Sequence, residues 1–419
     1  MQNLRSPVQE LEGVYAVQGL PLTALASRFG TPFYLYDLDY MALRYTYLKS
    51  IFAWSQTHIY YAMKANANPH LLLALKDVGA RLDTVSPAEV FLALKLGFKK
   101  EDILYTANNM TDEEIALLKP LGLLFNIDSL SGLRRFARLC PGSDVCLRFN
   151  SDVVAGEDQK VQTGGDKTKF GIRLERLQDA LALAQEGQLR IVGLHEHTGS
   201  GIADPEKFTQ GMRNLLSIAK PEWFPALRFV DFGGGFKVPY RPDEHRIDYE
   251  AFGAKVTELF TSFCAYFGRP LDLYFEPGKF VTAEGGVLIM QVNSLIANKT
   301  RLIAGTDSGF SHLIRPMLYD AYHHILNVSN PRGETKTYDV CGNICETGDL
   351  FASDRDLPEV REGDTLALLN AGAYGFTMGS LYNLRPLPLE VVVQNGAAHI
   401  SRPRVTHEAL ATEILKSCT

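Results

Sequence analysis

Short runs rich in β-branched, aromatic and other apolar residues, each edged by polar ones, recur along the first two-thirds of the chain. They fall at 59–64 (IYYAMK), 81–86 (RLDTVS), 103–107 (ILYTA), 124–128 (LFNID), 145–150 (VCLRFN), 191–198 (IVGLHEHT), 228–234 (RFVDFGG) and 273–278 (LYFEPG). Each is followed by a stretch of helical character, and several of these stretches open on start signals. Ser86-Pro87-Ala88-Glu89 offers an N-cap, a proline at the first helical position and a capping-box glutamate, and Thr111-Asp112-Glu113-Glu114 repeats the logic. Eight strand–helix units in succession predict an α/β fold built on a (β/α)8 barrel, with a doubly wound open sheet as the competing arrangement.

The texture changes near Gly286. Strand-like pieces at 288–293, 301–304 and 337–340 are separated by turns, and 390–393 and 397–400 flank an Asn395-Gly396 hairpin signal. One helical-looking piece, 318–327, interrupts them. A barrel over 36–285 is therefore expected to carry a mostly β domain built from 286–419 together with 1–35.

Composition narrows the function classes. A chain of 419 residues with 46% hydrophobic residues buries a large core. A formal net charge of −6 with no basic stripe argues against nucleic acid as a partner. No apolar run approaches a membrane span, and the first ten residues lack the apolar core of a secretory signal. Six scattered cysteines suit free thiols in a cytoplasmic protein. Cys341 and Cys345 have the look of zinc ligands but lack a second pair.

In a barrel, side chains at the carboxyl ends of strands converge on one mouth. Here those positions are Lys64, Asp83, Arg148, His197, Gly233–Gly235 and Glu276. Lys64 follows an apolar-aromatic run, and loss of hydration there favours a neutral amine able to condense with an aldehyde; the plain alternative is a lysine reaching for solvent. Gly233-Gly234-Gly235 after the seventh run reads equally as a tight turn and as a phosphate cradle, to which Ser200 adds a hydroxyl. Glu276 suits either a pyridine-nitrogen partner or an ordinary ion pair. His195 and His197 share one strand face, a spacing that also serves metal ligation, with Asp83 the available third ligand. A ring stacked on an aromatic cofactor needs only one of them, so no metal is expected.

Six motifs in order, at 60–64 (YYAMK), 195–201 (HEHTGSG), 231–235 (DFGGG), 276–279 (EPGK), 345–349 (CETGD) and 372–375 (GAYG), resemble the fold-type III pyridoxal-phosphate decarboxylases, and within them the diaminopimelate decarboxylases. The resemblance covers roughly 32–388. It implies pyridoxal 5'-phosphate as cofactor, an amino-acid substrate and a homodimer with shared active sites. Carried over residue by residue, Lys64 resembles the lysine bonded to the cofactor and His197 the stacking ring. Glu276 resembles the partner of the pyridine nitrogen. Ser200, Gly234, Gly235, Gly278, Lys279 and Tyr374 resemble the phosphate cradle, with Asp83 and Arg148 among the cofactor-binding positions. Cys345 resembles a proton donor from the other subunit. Lys279, Arg315, Tyr319, Glu346 and Tyr374 match substrate-binding positions. The implied reaction is decarboxylation of meso-2,6-diaminopimelate to L-lysine. The nearest rivals are decarboxylases of D-ornithine, D-lysine or carboxynorspermidine, and then an alanine racemase. The usual arginine of the EPGR motif is Lys279 here, and Thr347 stands where a serine is usual.

Overall fold

The computed structural model describes residues 6–158, 160 and 163–416. Cys418 and the first five residues lie outside them.

Eight parallel strands close into a barrel: Thr57–Ala62, Arg81–Thr84, Ile103–Tyr105, Leu124–Ile127, Asp144–Asn150, Arg190–His195, Phe229–Asp231 and Asp272–Phe275. Each pairs with its successor, and the eighth returns to the first. Closure rules out the open sheet. The expected helix starts are in place, with Ser86 capping Pro87–Lys95 and Thr111 completing a capping box on Asp112–Leu118.

Period-two alternation explains where the barrel keeps its chemistry. Tyr60, Leu104, Cys146, Val192, Phe229 and Tyr274 form one apolar cluster inside the barrel, where Phe229 and Tyr274 stack at 4.2 Å. Two residues further along the same strand faces come Ala62, Thr106, Arg148, Asp231 and Glu276. The interior thus turns from apolar to polar toward the carboxyl mouth. A register shift between Ile191 and Gly193 keeps His195 beside Arg148 and Asp231 in the strand ladder.

A second sheet runs Leu350–Pro358, Thr335–Cys341, Leu302–Thr306, Gly286–Ala297, Phe33–Asp37, Leu389–Gln394, Ala397–Arg402, with Thr365–Leu368 and Ile325–Asn327 attached. Phe33–Asp37, wholly buried, lies antiparallel to Gly286–Ala297 and parallel to Leu389–Gln394. Val8, Val17, Leu22 and Leu25 pack into the core that holds Phe33, Val287 and Val391. The last hairpin turns at Asn395 and Gly396, both at positive φ, as an Asn-Gly turn requires. The helix expected at 318–327 is a correction. Only Arg315–Tyr319 is helical, Asp320 ends it in the left-handed region, and Ile325–Asn327 pairs with Thr365–Leu368 instead. Strand pairing with a neighbour outweighs local helical character there.

Among the described residues no helix is long and apolar enough to cross a membrane, and the five described cysteines are free.

Candidate active site

The barrel's carboxyl mouth holds a cavity lined by Lys64, Arg148, His197, Ser200, Gly234, Gly235, Glu276, Gly278, Lys279 and Tyr374. Ten positions singled out from the sequence therefore meet in one place. Asp83 lies behind it, fully buried, with Oδ2 accepting from Lys64 Nζ at 2.8 Å.

That ion pair corrects the expected state of Lys64. Burial by itself would lower the ammonium's pKa, but the Asp83 and Glu276 carboxylates outweigh it and raise it above the ordinary lysine value. In this structure the amine is held charged, with 40% of its side chain open toward the cavity.

Glu276 sits at the base of the cavity and is nearly buried. Its Oε2 meets His195 Nε2 at 3.1 Å, and its Oε1 accepts from Thr106 Oγ1 at 3.2 Å. Burial works against its charge, but the hydrogen bond from His195 and the Lys64 ammonium overcome this and hold the carboxyl below the usual range. His197 is driven the other way, first by burial and then by the Arg148 and Lys64 cations, so its ring is neutral. Its Nδ1 accepts from Gly234 N–H at 3.2 Å, which fixes the ring's tilt.

The glycine run is needed for close approach. A Cβ on Gly233 would lie 2.6 Å from His197 Nδ1, one on Gly234 2.4 Å from the Glu276 carbonyl, and one on Gly235 2.2 Å from the Gly199 carbonyl. Gly233 and Gly235 also stand at positive φ. Across the cavity Tyr374 takes a left-handed backbone, φ 55°, held by its N–H to the Ala65 carbonyl at 2.8 Å. Gly372 makes that turn fit, because a Cβ would meet the Thr282 carbonyl at 1.9 Å.

In the cavity wall Lys279, itself buried, pairs with Glu157, and buried Arg315 lies over the rings of Tyr240 and Tyr319. Arg315 is 4% exposed, and its Nε has no partner among the described residues. Cys345 and Glu346 are apart from the cavity lining. Cys345 is exposed with Sγ 3.4 Å from Asn383 Oδ1, and Glu346 accepts from the Tyr382 hydroxyl.

Sequence reasoning missed Thr106, Asp231, Glu157 and Glu196. Asp231 carried a usable signal, since it stands two residues before Gly233 on the inward face. Glu157 carried none. The metal alternative had joined His195, His197 and Asp83. Instead His195, Asp231 and Glu276 offer ligand atoms within 4.8 Å of one another. Burial and the neighbouring Glu276 push Asp231 well above the usual carboxyl range, so it keeps a proton that ligation would have to displace.

An amine, a glycine-lined loop with a serine hydroxyl, a neutral imidazole and a buried anion around one cavity fit a pyridine aldehyde bearing a phosphate arm. Residues 41–283 match the family model described as pyridoxal-dependent decarboxylase, pyridoxal binding domain. The diaminopimelate decarboxylase of Methanothermobacter thermautotrophicus is 39% identical over 410 residues, 95% of either chain. The crystal structure of the diaminopimelate decarboxylase from M. jannaschii in co-complex with L-lysine aligns with a TM-score of 0.90 at 28% identity, over 97% of each chain. That from Helicobacter pylori complexed with L-lysine gives 0.87 at 30%, over 94% of this chain and 99% of the other.

Proposed function

This chain belongs to the pyridoxal-dependent decarboxylases, and we infer from that membership that it decarboxylates meso-2,6-diaminopimelate to L-lysine, the last step of lysine biosynthesis. It is a carboxy-lyase that uses pyridoxal 5'-phosphate. The observation that carries the conclusion is the meeting of Lys64, His197, the Gly234–Gly235 backbone and Glu276 in one cavity of a chain 39% identical to a diaminopimelate decarboxylase.

When bound, the cofactor supplies an electron sink for the pair left behind as CO2 departs. We assign the work of the chain's own residues as follows. Lys64 Nζ is the attachment atom, and Asp83 holds it in place. Ser200, Gly234, Gly235, Gly278, Lys279 and Tyr374 hold the phosphate arm, with Arg148 adding positive charge nearby. Neutral His197, in the cavity wall, would pack on the cofactor ring without adding a charge. Glu276, kept anionic by His195 Nε2 and Thr106 Oγ1, balances a proton on the ring nitrogen. Arg315, Tyr319, Lys279 and Tyr374 grip the far amino-acid end of the substrate, where a carboxylate suits the two cations.

Cys345 and Glu346 enter from a second copy of the chain, Cys345 Sγ holding the proton that returns to the substrate carbon and Glu346 facing the far ammonium. Their exposure supports this, as does the exposure of Met317, Leu381, Tyr382 and Leu384. The enzyme is thus a homodimer with shared active sites, divided into a barrel over 36–285 and a β domain of 1–35 with 286–419, save that the strand Phe33–Asp37 carries the first boundary on to Asp37, and works in the cytoplasm, where its thiols stay reduced.

The test is to supply purified, cofactor-loaded protein with meso-2,6-diaminopimelate and with D-lysine and D-ornithine. Equimolar CO2 and L-lysine from the first, with little turnover of the others, is expected. Preference for D-ornithine would replace the substrate assignment, and racemisation without CO2 would replace the reaction.

A further inference from the structure

Directly after strand six stands a carboxyl group for which the chemistry above has no use. Glu196 stands between His195 and His197, so its side chain points away from the cavity, into the layer between barrel and helices. There it is fully buried, in a layer that also holds Leu194, Phe208, Met212 and Leu215. A carboxyl in such surroundings costs several kcal/mol unless it is bonded.

The bonds it makes are specific. Ser151 Oγ donates to Oε2 at 2.9 Å, and Thr198 Oγ1 reaches both carboxyl oxygens at 2.9 and 3.0 Å. Ser151 follows strand five, and its carbonyl accepts from Asn214 on the helix Pro205–Ile218. Thr198 lies between His197 and Ser200. The helix approaches closely: a Cβ on Gly211 would fall 2.5 Å from Thr198 Oγ1 and 3.0 Å from Glu196 Oε1. One carboxyl therefore ties the strand-five exit and the 197–201 loop together under a helix that leaves it no room to move.

We propose that Glu196 is a positioning residue for the cofactor-phosphate loop, holding Thr198 so that His197 and Ser200 are presented to the cavity. The proposal rests on the assignment of that loop to the phosphate arm. It also has a pH consequence. Burial, opposed by the bonds from Thr198 and Ser151 and by Arg148, holds the carboxyl up at about 7. The one charge that acts on it is Arg148 of strand five; Ser151 and Thr198 bond to it, strand seven's Asp231 carbonyl takes only its backbone N–H, and the helix presents uncharged Gly211. Below pH 7 the group is neutral; above it, a negative charge sits behind the loop that receives a phosphate dianion.

The experiment is equilibrium titration of apoprotein with pyridoxal phosphate and with pyridoxal, from pH 6 to 8.5, followed by cofactor absorbance, for wild type, Glu196→Gln and Glu196→Leu. Wild type should lose phosphate-form affinity severalfold across that range. Glu196→Gln should bind comparably at pH 6 and lose clearly less affinity than wild type as pH rises, keeping only the fall that comes from Lys279 giving up its charge near 8. Glu196→Leu, which fills the same space without the bonds, should weaken pyridoxal phosphate at least tenfold while barely changing pyridoxal. Equal weakening of both forms, an unaltered Leu variant, or a Gln variant as damaged as Leu would overturn the proposal. Wild type that fails to bind pyridoxal phosphate at all would instead overturn the functional assignment beneath it.

Discussion

Gly234→Ala adds one methyl group at the point where two strand ends meet. Gly234 does not lie in the left-handed region, so alanine is unstrained in its backbone and the effect is purely steric. The new Cβ would sit 2.4 Å from the Glu276 carbonyl oxygen and 3.2 Å from its carbon, about 1 Å short of ordinary contact. Neither atom is the end of a flexible side chain, so the loop or the Glu276 backbone must give way. Overpacking of this kind costs roughly 1–3 kcal/mol. Spent on cofactor binding, that is a loss of about 5- to 150-fold in affinity. The shift also moves the Gly234 N–H away from His197 Nδ1 and loosens the ring it orients. Titration of apoprotein with pyridoxal phosphate measures the loss, and thermal unfolding of the apoprotein checks that the barrel survives. Affinity within twofold of wild type would refute the claim that this loop and the Glu276 turn are packed to their limit.

Arg315→Ala should cut kcat/KM for meso-2,6-diaminopimelate by roughly 10- to 100-fold, the scale of a lost charged hydrogen bond; unchanged steady-state kinetics would remove Arg315 from the substrate site. Burial, partly offset by Glu157, pulls the Lys279 ammonium down to about 8. Its charged form prevails below that pH, so kcat/KM should fall as pH rises through 8, and Lys279→Arg, which stays charged, should carry the limb to higher pH; a limb that does not move in the pH–rate profile counts against this. Glu157 occupies Lys279 where a substrate carboxylate is proposed to bind, so Glu157→Gln should lower KM about fivefold, as for a pair worth about 1 kcal/mol; a raised KM would contradict it. Lys64→Ala and Cys345→Ala should each be inactive alone, yet a mixture exchanged through dissociation should regain roughly a quarter of wild-type activity, because half the dimers then carry one intact site. No recovery would mean that the two residues do not meet across an interface.

The barrel was legible because its strands obey a local rule: apolar runs of strand length, ended by polar or glycine residues and followed by capped helices. Lys64, Arg148, His197, Gly234, Gly235 and Glu276 were legible for the same reason, since strand ends map to the mouth, whereas Gly278, Lys279 and Tyr374 came from the family resemblance alone. What escaped depended on partners distant in sequence. The 318–327 stretch joined the sheet because Thr365–Leu368 offered it hydrogen bonds. Phe33–Asp37 crossed into the second sheet between two strands far along the chain, Gly286–Ala297 and Leu389–Gln394, which its own pattern does not announce. Lys64 kept its charge because Asp83, on the neighbouring strand, lies 2.8 Å away; burial alone gave the opposite expectation. Glu196 lay inside the 195–201 motif, but nothing in the sequence gave its carboxyl a role, and Glu157 had no motif near it.

Borohydride reduction of the cofactor-loaded enzyme, followed by peptide mapping, tests the assignment at its root. A single pyridoxyl label on the peptide containing Lys64, with loss of activity in step with labelling, is the expected result. Label on another lysine in fully active enzyme would contradict it.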